Sequence, residues 1–197
     1  RKGILDALSR RGSNVEGIFR VSGSKKAIAN LEAAFRKGKK VRVDTYSPHV
    51  LAGFLTTYLH RLDEPLLTFD LYDSFMAVLE EPSFKDGDVS LLHKVLALLP
   101  PWNSTVLTRI IHLLKKIAGN SGVTKMTPAN LATTFTPALL KPRTQADSID
   151  ALLSNIAAAN DLIVAFITEA DTLFPKGSHF AFKSDIASPR SPRTPLL

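Results

Sequence analysis

An all-helical fold is predicted from this sequence by three observations. Apolar residues recur three and four positions apart along almost the whole chain, and Ser, Thr, Pro and Gly stand where such segments begin or end. No stretch alternates apolar and polar residues over the length of a strand. With 197 residues, 45% of them hydrophobic, the chain can bury the core of one ordinary domain. We therefore expect one helical domain over residues 1–174 and a C-terminal tail over 175–197.

The first three helices are predicted from the residues at their ends. A short helix is expected near residues 3–10. The next begins after Ser24, whose hydroxyl suits an N-cap, and ends at Gly38. Ser47 and Pro48 supply an N-cap and a first-turn proline for the third helix, whose apolar stripe continues to the next proline.

Five further segments keep helical spacing, and most of them stop at a proline or a glycine. They predict helices over residues 69–80, 89–99, 104–118, 128 to about 135, and about 149–167. The longest apolar runs are broken by polar or charged residues within a few positions, so we expect no membrane-spanning segment. The chain begins without methionine or a signal region, and we expect it to be a segment of a longer protein.

The last part of the chain differs in composition from the rest. It ends SPRSPRTPLL, and repeated proline disfavours a helix and favours an extended chain. A linker is one interpretation. The other is a group of phosphorylation sites at Ser188, Ser191 and Thr194, because each precedes proline and has an arginine nearby. Phosphates there would cancel the positive charge of the tail.

Positive charge is concentrated at one end of the sequence. Residues 1–44 hold 12 Lys and Arg against 4 Asp and Glu, a net charge of +8, whereas the remaining 13 against 14 give −1. A local basic field attracts an acidic or phosphorylated partner, although an ordinary solvated surface can have the same composition. We expect no nucleic acid as partner, because the basic region has few aromatic residues and no recognisable RNA- or DNA-reading motif.

Several chemistries are excluded by composition and spacing. The chain has no cysteine, and its five histidines show no paired ligand spacing, so we expect no metal site. It has no Gly-x-Ser-x-Gly elbow and no evident pair of catalytic carboxylates. The run Gly23-Ser24-Lys25 does not fit a phosphate-binding loop, since lysine would have to follow the glycine directly. We therefore do not expect the chain to bind a nucleotide by itself, and any role in nucleotide chemistry concerns a partner's nucleotide.

One short segment is built to present an arginine. Gly17 and Gly23 bracket it, and glycines relax the limits on the backbone at such points. Ile18 and Phe19 are candidates to anchor the segment in the core, which would leave Arg20 projecting. A guanidinium offers a permanent charge and a fork of donors suited to phosphate oxygens. Without further context, however, an arginine in a basic region is most simply a surface or salt-bridged residue.

Three segments, in order along the chain, resemble the Rho-type GTPase-activating (RhoGAP) domain family. They read VEGIFRVSGS at 15–24, YSPHV at 46–50 with YLHRLDEPLL at 58–67, and KMTPANLATTFTPALL at 125–140. Leu99-Pro100 and Asn103 fit the break that the family has before the next helix. The match covers about residues 3–172 and therefore concerns nearly the whole predicted domain.

The resemblance implies a bundle of about nine helices that binds Rho-, Rac- or Cdc42-type GTPases in their GTP form. Arg20 would enter the partner's active site, and Gly17, Ser22 and Gly23 would support the loop. GTP and Mg would belong to the partner, so this chain would be an activator without a cofactor of its own and not an enzyme. The protein would be cytoplasmic and recruited to the membrane face through its lipidated partner. Partner contacts are implied at five matching positions: Thr56, His60, Lys125, Asn130 and Thr133.

The sequence departs from the family pattern at positions that accompany the arginine. Thr56 stands where the family usually has lysine and His60 where it has arginine, and such cations form hydrogen bonds worth roughly 1.5–3 kcal/mol each. Arg61 is not an automatic substitute, because one residue turns a helical side chain by about 100°. Thr124 and Thr136 replace a usual asparagine and glycine. The alternative to an activator is therefore a catalytically weak or inactive GTPase-binding module.

Overall fold

The computed structural model describes residues 3–143 and 148–175. Every regular element in these ranges is helical and none is a strand, which confirms the all-α class. Three of the α-helices are single four-residue turns, so the longer ones number close to the nine expected. The helices are α1 (Ile4–Arg11), α2 (Lys25–Arg36), α3 (Pro48–His60), α4 (Tyr72–Glu80), α5 (Pro82–Lys85), α6 (Ser90–Leu96), α7 (Pro101–Ala118), α8 (Ser121–Thr124), α9 (Pro128–Leu139), α10 (Ile149–Thr168) and α11 (Ala170–Leu173).

Capping residues mark the helix starts, and the caps predicted at Ser24 and Ser47 are confirmed. The hydroxyls of Ser24 and Ser47 each accept a hydrogen bond from the amide three residues later, at 3.3 and 3.4 Å. Thr127 caps α9 in the same way at 3.2 Å, and Pro48 and Pro128 occupy the first turn of their helices. Each cap satisfies an amide that has no partner within the helix, so these residues determine where the chain becomes helical.

Helix α9 extends further than predicted. The sequence predicts an end near Phe135, but the helix continues through Pro137 to Leu139. A proline in the last turn removes one amide hydrogen bond. Ala138 and Leu139 are nevertheless buried almost completely, and this packing stabilises the final turn. Helix α7 is also longer than predicted. It begins at Pro101 and not at residue 104, because a proline suits the first turn of a helix.

The core lies where the longest helices meet. Helix α10 packs against α9, α7 and α4, and α9 also packs against α3 and α7. Leu51, Leu107, Phe135 and Phe166 are completely buried in this region. Burial of each such side chain contributes about 1.5–3 kcal/mol. Helix α2 packs on α3, so the segment that precedes α2 is held against the same bundle.

Within the described ranges, α10 is the helix long and apolar enough to cross a membrane, judged by length and composition. Its most apolar 18-residue window has a mean hydropathy of 1.6, and 28% of that window is buried. Leu162, Ile163 and Phe166, in the C-terminal half, are completely buried in the core. A core helix meets the same criterion of length and composition, and this packing accounts for the apolar character of that half. The N-terminal half exposes Ile149 and Leu153.

Candidate functional site

Residues 16–24, called here the arginine loop, form a tight turn that is attached to the bundle at its start. The Gly17 amide donates to the Thr124 carbonyl oxygen at 2.7 Å, across to the chain that enters α9. The Gly17 carbonyl accepts from the amides of Arg20 and Val21, at 2.9 and 2.7 Å. Gly17 has a φ of +65°, a conformation that glycine adopts without strain. The predicted supporting position therefore has a conformational reason to be glycine.

The middle of the loop is anchored by the two residues that the sequence indicates. Ile18 is completely buried. The Phe19 ring packs edge-on against Phe135 of α9, with ring centroids 4.8 Å apart. Phe19 also has a φ of +69°, which is uncommon for an aromatic residue and is maintained only when the surroundings impose it. No feature of the sequence indicated this backbone conformation.

The end of the arginine loop lies directly on α3. A Cβ atom built at Gly23 would lie 2.7 Å from the carbonyl carbon of His49 and from the amide nitrogen of Val50. Only glycine allows this close approach of two backbone segments. Ser22, the third predicted supporting residue, is exposed, and its hydroxyl makes no hydrogen bond with any residue that the structure describes. Its supporting role stays a prediction.

The loop leaves Arg20 exposed and unpaired. Its guanidinium makes no hydrogen bond or ion pair within residues 3–143 and 148–175. Lys25 and Lys26 follow in the first turn of α2. This first turn contains no acidic residue. A helix N-terminus favours negative side chains, so two lysines there work against local stability. They add to a positive surface that suits an anionic partner.

Lys125 and Asn130 lie beside the base of the arginine loop. The carbonyl of Thr124 holds Gly17, and the next residue, Lys125, has a φ of +56°. Asn130 is exposed, and its Nδ2 donates to the Lys125 carbonyl at 3.3 Å. Thr133, one turn further along α9, is also exposed, and its hydroxyl donates to the carbonyl of the residue four positions earlier. The structure thus brings two of the five predicted contact positions, Lys125 and Asn130, next to the base of the loop, and Thr133 lies one turn further along the same helix.

Thr124 has a role that spacing did not reveal. Its side chain is completely buried, and Oγ1 lies 3.1 Å from the Ile117 carbonyl oxygen. Thr124 Oγ1 also accepts a hydrogen bond from the Met126 amide at 3.3 Å. This threonine therefore holds the connection between α8 and α9 while its own carbonyl accepts the Gly17 amide. The departure from the family asparagine has a complete set of hydrogen bonds in this structure.

Thr56 and His60 do not present the cations that they replace. Thr56 is half-buried, and its hydroxyl donates back within α3, to the carbonyls of Ala52 at 3.2 Å or Gly53 at 3.1 Å. Partial burial, followed by the nearby Lys141 ammonium, lowers the pKa of His60, so this imidazole is neutral near pH 7. Its backbone carbonyl accepts from Lys141 Nζ at 3.4 Å.

Arg61 does not replace either cation. Its guanidinium donates to Glu32 Oε2 of α2 at 2.7 Å. The side chain is thus directed to the α2 side of the helix, as the turn of about 100° per residue predicts. The pair joins α2 to the end of α3. An exposed pair of this kind contributes about 0–1 kcal/mol.

A cleft of about 900 Å³ runs between the C-terminal end of α9 and α10. Thr133 and Lys141 line it, together with the exposed apolar residues Leu152 and Ile156. Thr136, where the family has glycine, is buried in its wall, and its hydroxyl has no hydrogen-bond partner among residues 3–143 and 148–175. Apolar side chains grouped beside a polar rim are typical of a protein-binding surface. The predicted contact position Thr133 therefore borders a larger candidate surface.

The fold and this surface define an all-helical domain that presents an exposed arginine on a loop held at both ends. The family comparison makes the class specific. The sequence model of the RhoGAP domain family matches residues 2–144, which is well over half of the chain. The chain belongs to the RhoGAP family, as the three sequence segments predicted.

Curated relatives share this domain. Rho GTPase-activating protein gacY of Dictyostelium discoideum is 37% identical over 174 residues, covering 88% of this chain and 24% of that protein. Human Bargin is 35% identical over 179 residues, covering 88% of this chain and 26% of that protein. The chain thus spans about a quarter of the length of these relatives.

Solved structures show the same fold. Human Rho GTPase activating protein 15 superposes with a TM-score of 0.78 at 23% identity, covering 87% of this chain and 81% of that one. The BH domain of GRAF, the GTPase regulator associated with focal adhesion kinase, gives a TM-score of 0.74 at 25% identity, over 87% and 90% of the two chains.

Proposed function

We propose that this chain is a GTPase-activating domain for a GTP-loaded Rho-, Rac- or Cdc42-type GTPase, and that Arg20 is its arginine finger. The hydrolysis takes place on the partner, with the GTP and Mg that the partner holds, so the chain is an activator in trans. An arginine supplied in this way stabilises negative charge in the transition state and is worth roughly 10³–10⁵ in rate. Membership in a family whose relatives are named as Rho GTPase-activating proteins supports the proposal.

The proposal rests on one observation: Arg20 is exposed and unpaired within the described residues, while the loop that carries it is held firmly. The side chain is exposed and has no partner in the described structure, yet its loop is held by Gly17, Phe19 and Gly23. Holding a charged group in place before the partner arrives reduces the entropy that must be lost in the complex. A surface arginine with only a solubility role does not need a loop attached at three points.

The second candidate is a module that binds the GTPase without strong activation. Thr56 and His60 favour it, because neither offers a cation toward the loop. One measurement separates the two: single-turnover GTP hydrolysis by Rho-, Rac- and Cdc42-type proteins, with binding of the GTP forms measured in parallel. Stimulation together with binding supports the activator. Binding without stimulation supports the module.

Restoring the two family cations should raise activity. In the Thr56→Lys/His60→Arg variant, a lysine stem replaces a hydroxyl that is bonded to its own helix, and an arginine replaces a neutral imidazole. Each regained charge-assisted hydrogen bond is worth roughly 1.5–3 kcal/mol, so a gain of at least about tenfold in single-turnover rate is expected even if only one of the two bonds forms.

The control for this variant is Thr57→Lys, which adds one of the two positive charges about 100° away around α3. It should leave the rate near that of the wild type. A double variant with an unchanged rate would show that the arginine loop is already supported by other contacts, such as those of Thr124 and Gly23.

Reversing charge next to the loop should weaken association. Lys25→Glu/Lys26→Glu places two carboxylates in the first turn of α2, where the helix dipole favours them, so the fold should not be weakened. The association rate with the GTPase should fall about tenfold at low salt, and the difference should shrink as salt rises. Stopped-flow mixing at several salt concentrations measures this. An equal loss at all salt concentrations would contradict an electrostatic role.

Two further expectations belong to this proposal. We infer that the domain ends near residue 174, since α10 and α11 pack on the bundle and belong to it structurally. We also infer a cytoplasmic protein that reaches the membrane face through its lipidated partner. The predicted phosphorylation sites Ser188, Ser191 and Thr194 lie outside the described residues.

A further inference from the structure

A groove of about 650 Å³ between α1, α2, α3 and the first turns of α7 is lined in part by aromatic rings. Phe35 and Phe54 lie with ring centroids 5.1 Å apart, and Tyr58 stacks on Phe54 at 6.3 Å. Trp102, at the start of α7, completes the set. Phe35, Tyr58 and Trp102 are 44%, 49% and 56% exposed, so the aromatic surface is open.

Such a groove fits one class of peptide particularly well. Proline-rich segments in the polyproline II conformation dock on aromatic-lined grooves, because proline rings pack flat on aromatic faces and the segment loses little entropy on binding. The conformation has three residues per turn, so a proline at every third position places all of the rings on one edge. A segment with proline at every third position therefore matches the row of rings in this groove.

This chain contains that sequence. Pro189, Pro192 and Pro195 stand at every third position near its C-terminus. We propose that residues 188–195 dock in the aromatic groove of the same molecule, with the three prolines on the rings of Phe35, Tyr58 and Trp102. The tail would thereby be a ligand of its own domain.

The position where the tail leaves the domain allows this. The carbonyl oxygen of Phe174 lies 2.7 Å from His112 Nε2 in the middle of α7, and Trp102 lies on the same helix. Ten residues of helix rise about 15 Å. Residues 176–187 connect Pro175, at the end of the described domain, to Ser188, the first residue of the docked segment. A chain of that length spans on average roughly 20 Å. The tether is therefore long enough without being fully extended.

The surface between the two points is continuous. Leu5 of α1 lines the aromatic groove and also a second cavity, of about 560 Å³, that His112 and Asp171 border. The path from α11 to the groove thus follows α1 and α7 and needs no crossing of the bundle. A tether of this kind gives an effective concentration in the millimolar range, so even a millimolar affinity would fill the groove in about half of the molecules.

The charged residues of the groove are compatible with a segment whose prolines lie on the aromatic rings. Glu32, Arg36 and Arg61 also line it, and Glu32 is paired with Arg61. With the prolines on the rings, Arg190 and Arg193 share a different edge of a polyproline II segment. Arg190 and Arg193 then lie at the side of the groove, so their positive charges are not brought against Arg36 and Arg61 in its lining.

The tryptophan content of the chain makes the proposal directly testable. Trp102 is the single tryptophan, so its fluorescence reports on this groove alone. The experiment compares acrylamide quenching in the full chain and in the full-chain Pro189→Ala/Pro192→Ala/Pro195→Ala variant. Quenching in the wild type should be roughly twofold weaker, as a docked fraction of about half or more requires. Its emission should also lie at shorter wavelength.

The matched control is Ser188→Ala/Ser191→Ala/Thr194→Ala, which changes the same tail but keeps its prolines. It should behave like the wild type. Equal quenching in the wild type and the proline variant would overturn the proposal. Wild-type quenching that rises on dilution would overturn docking within one molecule, because it would show that tails are exchanged between copies. No GTPase is used, so the outcome is independent of the function proposed for Arg20.

Discussion

Replacing Arg20 by alanine is expected to reduce the stimulation of GTP hydrolysis by about 10³-fold or more, with binding of the GTP-loaded partner changed only a few-fold. The guanidinium has no partner in the described structure, so its removal breaks no contact of the fold. If Arg20 is the proposed finger, the substitution removes a charge that interacts most strongly with the transition state, and such a loss appears in the rate of the chemical step.

Two variants make this result specific. Arg42→Ala removes another exposed arginine from the same basic segment and should leave stimulation near the wild-type level. Arg20→Lys keeps the charge but lacks the planar fork of donors, and it should recover only a small part of the activity. Single-turnover hydrolysis and a parallel binding titration provide the measurement. Stimulation that survives Arg20→Ala would exclude the finger assignment.

Much of the fold could be predicted because helix boundaries depend on local chemistry. Ser24, Ser47 and Thr127 cap their helices through bonds that span only three residues, and such signals can be read directly from the sequence. The predicted end of α9 was wrong because the position of this end depends on tertiary packing. Ala138 and Leu139 are buried against other helices, and this burial outweighs the amide bond lost at Pro137.

The site was predictable to a smaller extent. Glycine spacing and the family resemblance indicated the loop, and Ile18 and Phe19 were indicated as its anchors, but the contacts that these and the neighbouring site residues make across the fold were not indicated. The bond from Gly17 to Thr124, the ring contact of Phe19 with Phe135, and the bond from Lys141 to the His60 carbonyl all join residues far apart in the sequence. No local pattern encodes such contacts, because they arise only when the helices pack.

Substitution of Gly23 by alanine is expected to have the second largest effect. The new Cβ atom would lie 2.7–2.8 Å from the backbone of His49 and Val50, and a backbone segment at the start of α3 cannot move aside as a flexible side chain does. The loop must shift instead. A misplacement of about 1 Å can lower a rate by about 10²-fold, and overpacking of this kind costs about 1–3 kcal/mol of unfolding free energy.

Kinetics can separate displacement of the loop from general loss of stability. If Gly23→Ala moves Arg20, the maximal stimulated rate should fall while the concentration for half-maximal stimulation changes little, at a temperature where the domain remains folded. Gly122→Ala is the matched control, because nothing lies within 4 Å of its new Cβ atom. Gly53→Ala is a second control, since its Cβ meets only the flexible end of Ile28. A Gly23→Ala rate equal to that of both controls would show that α3 does not position the arginine loop, and Gly17 with Phe19 would then hold it alone.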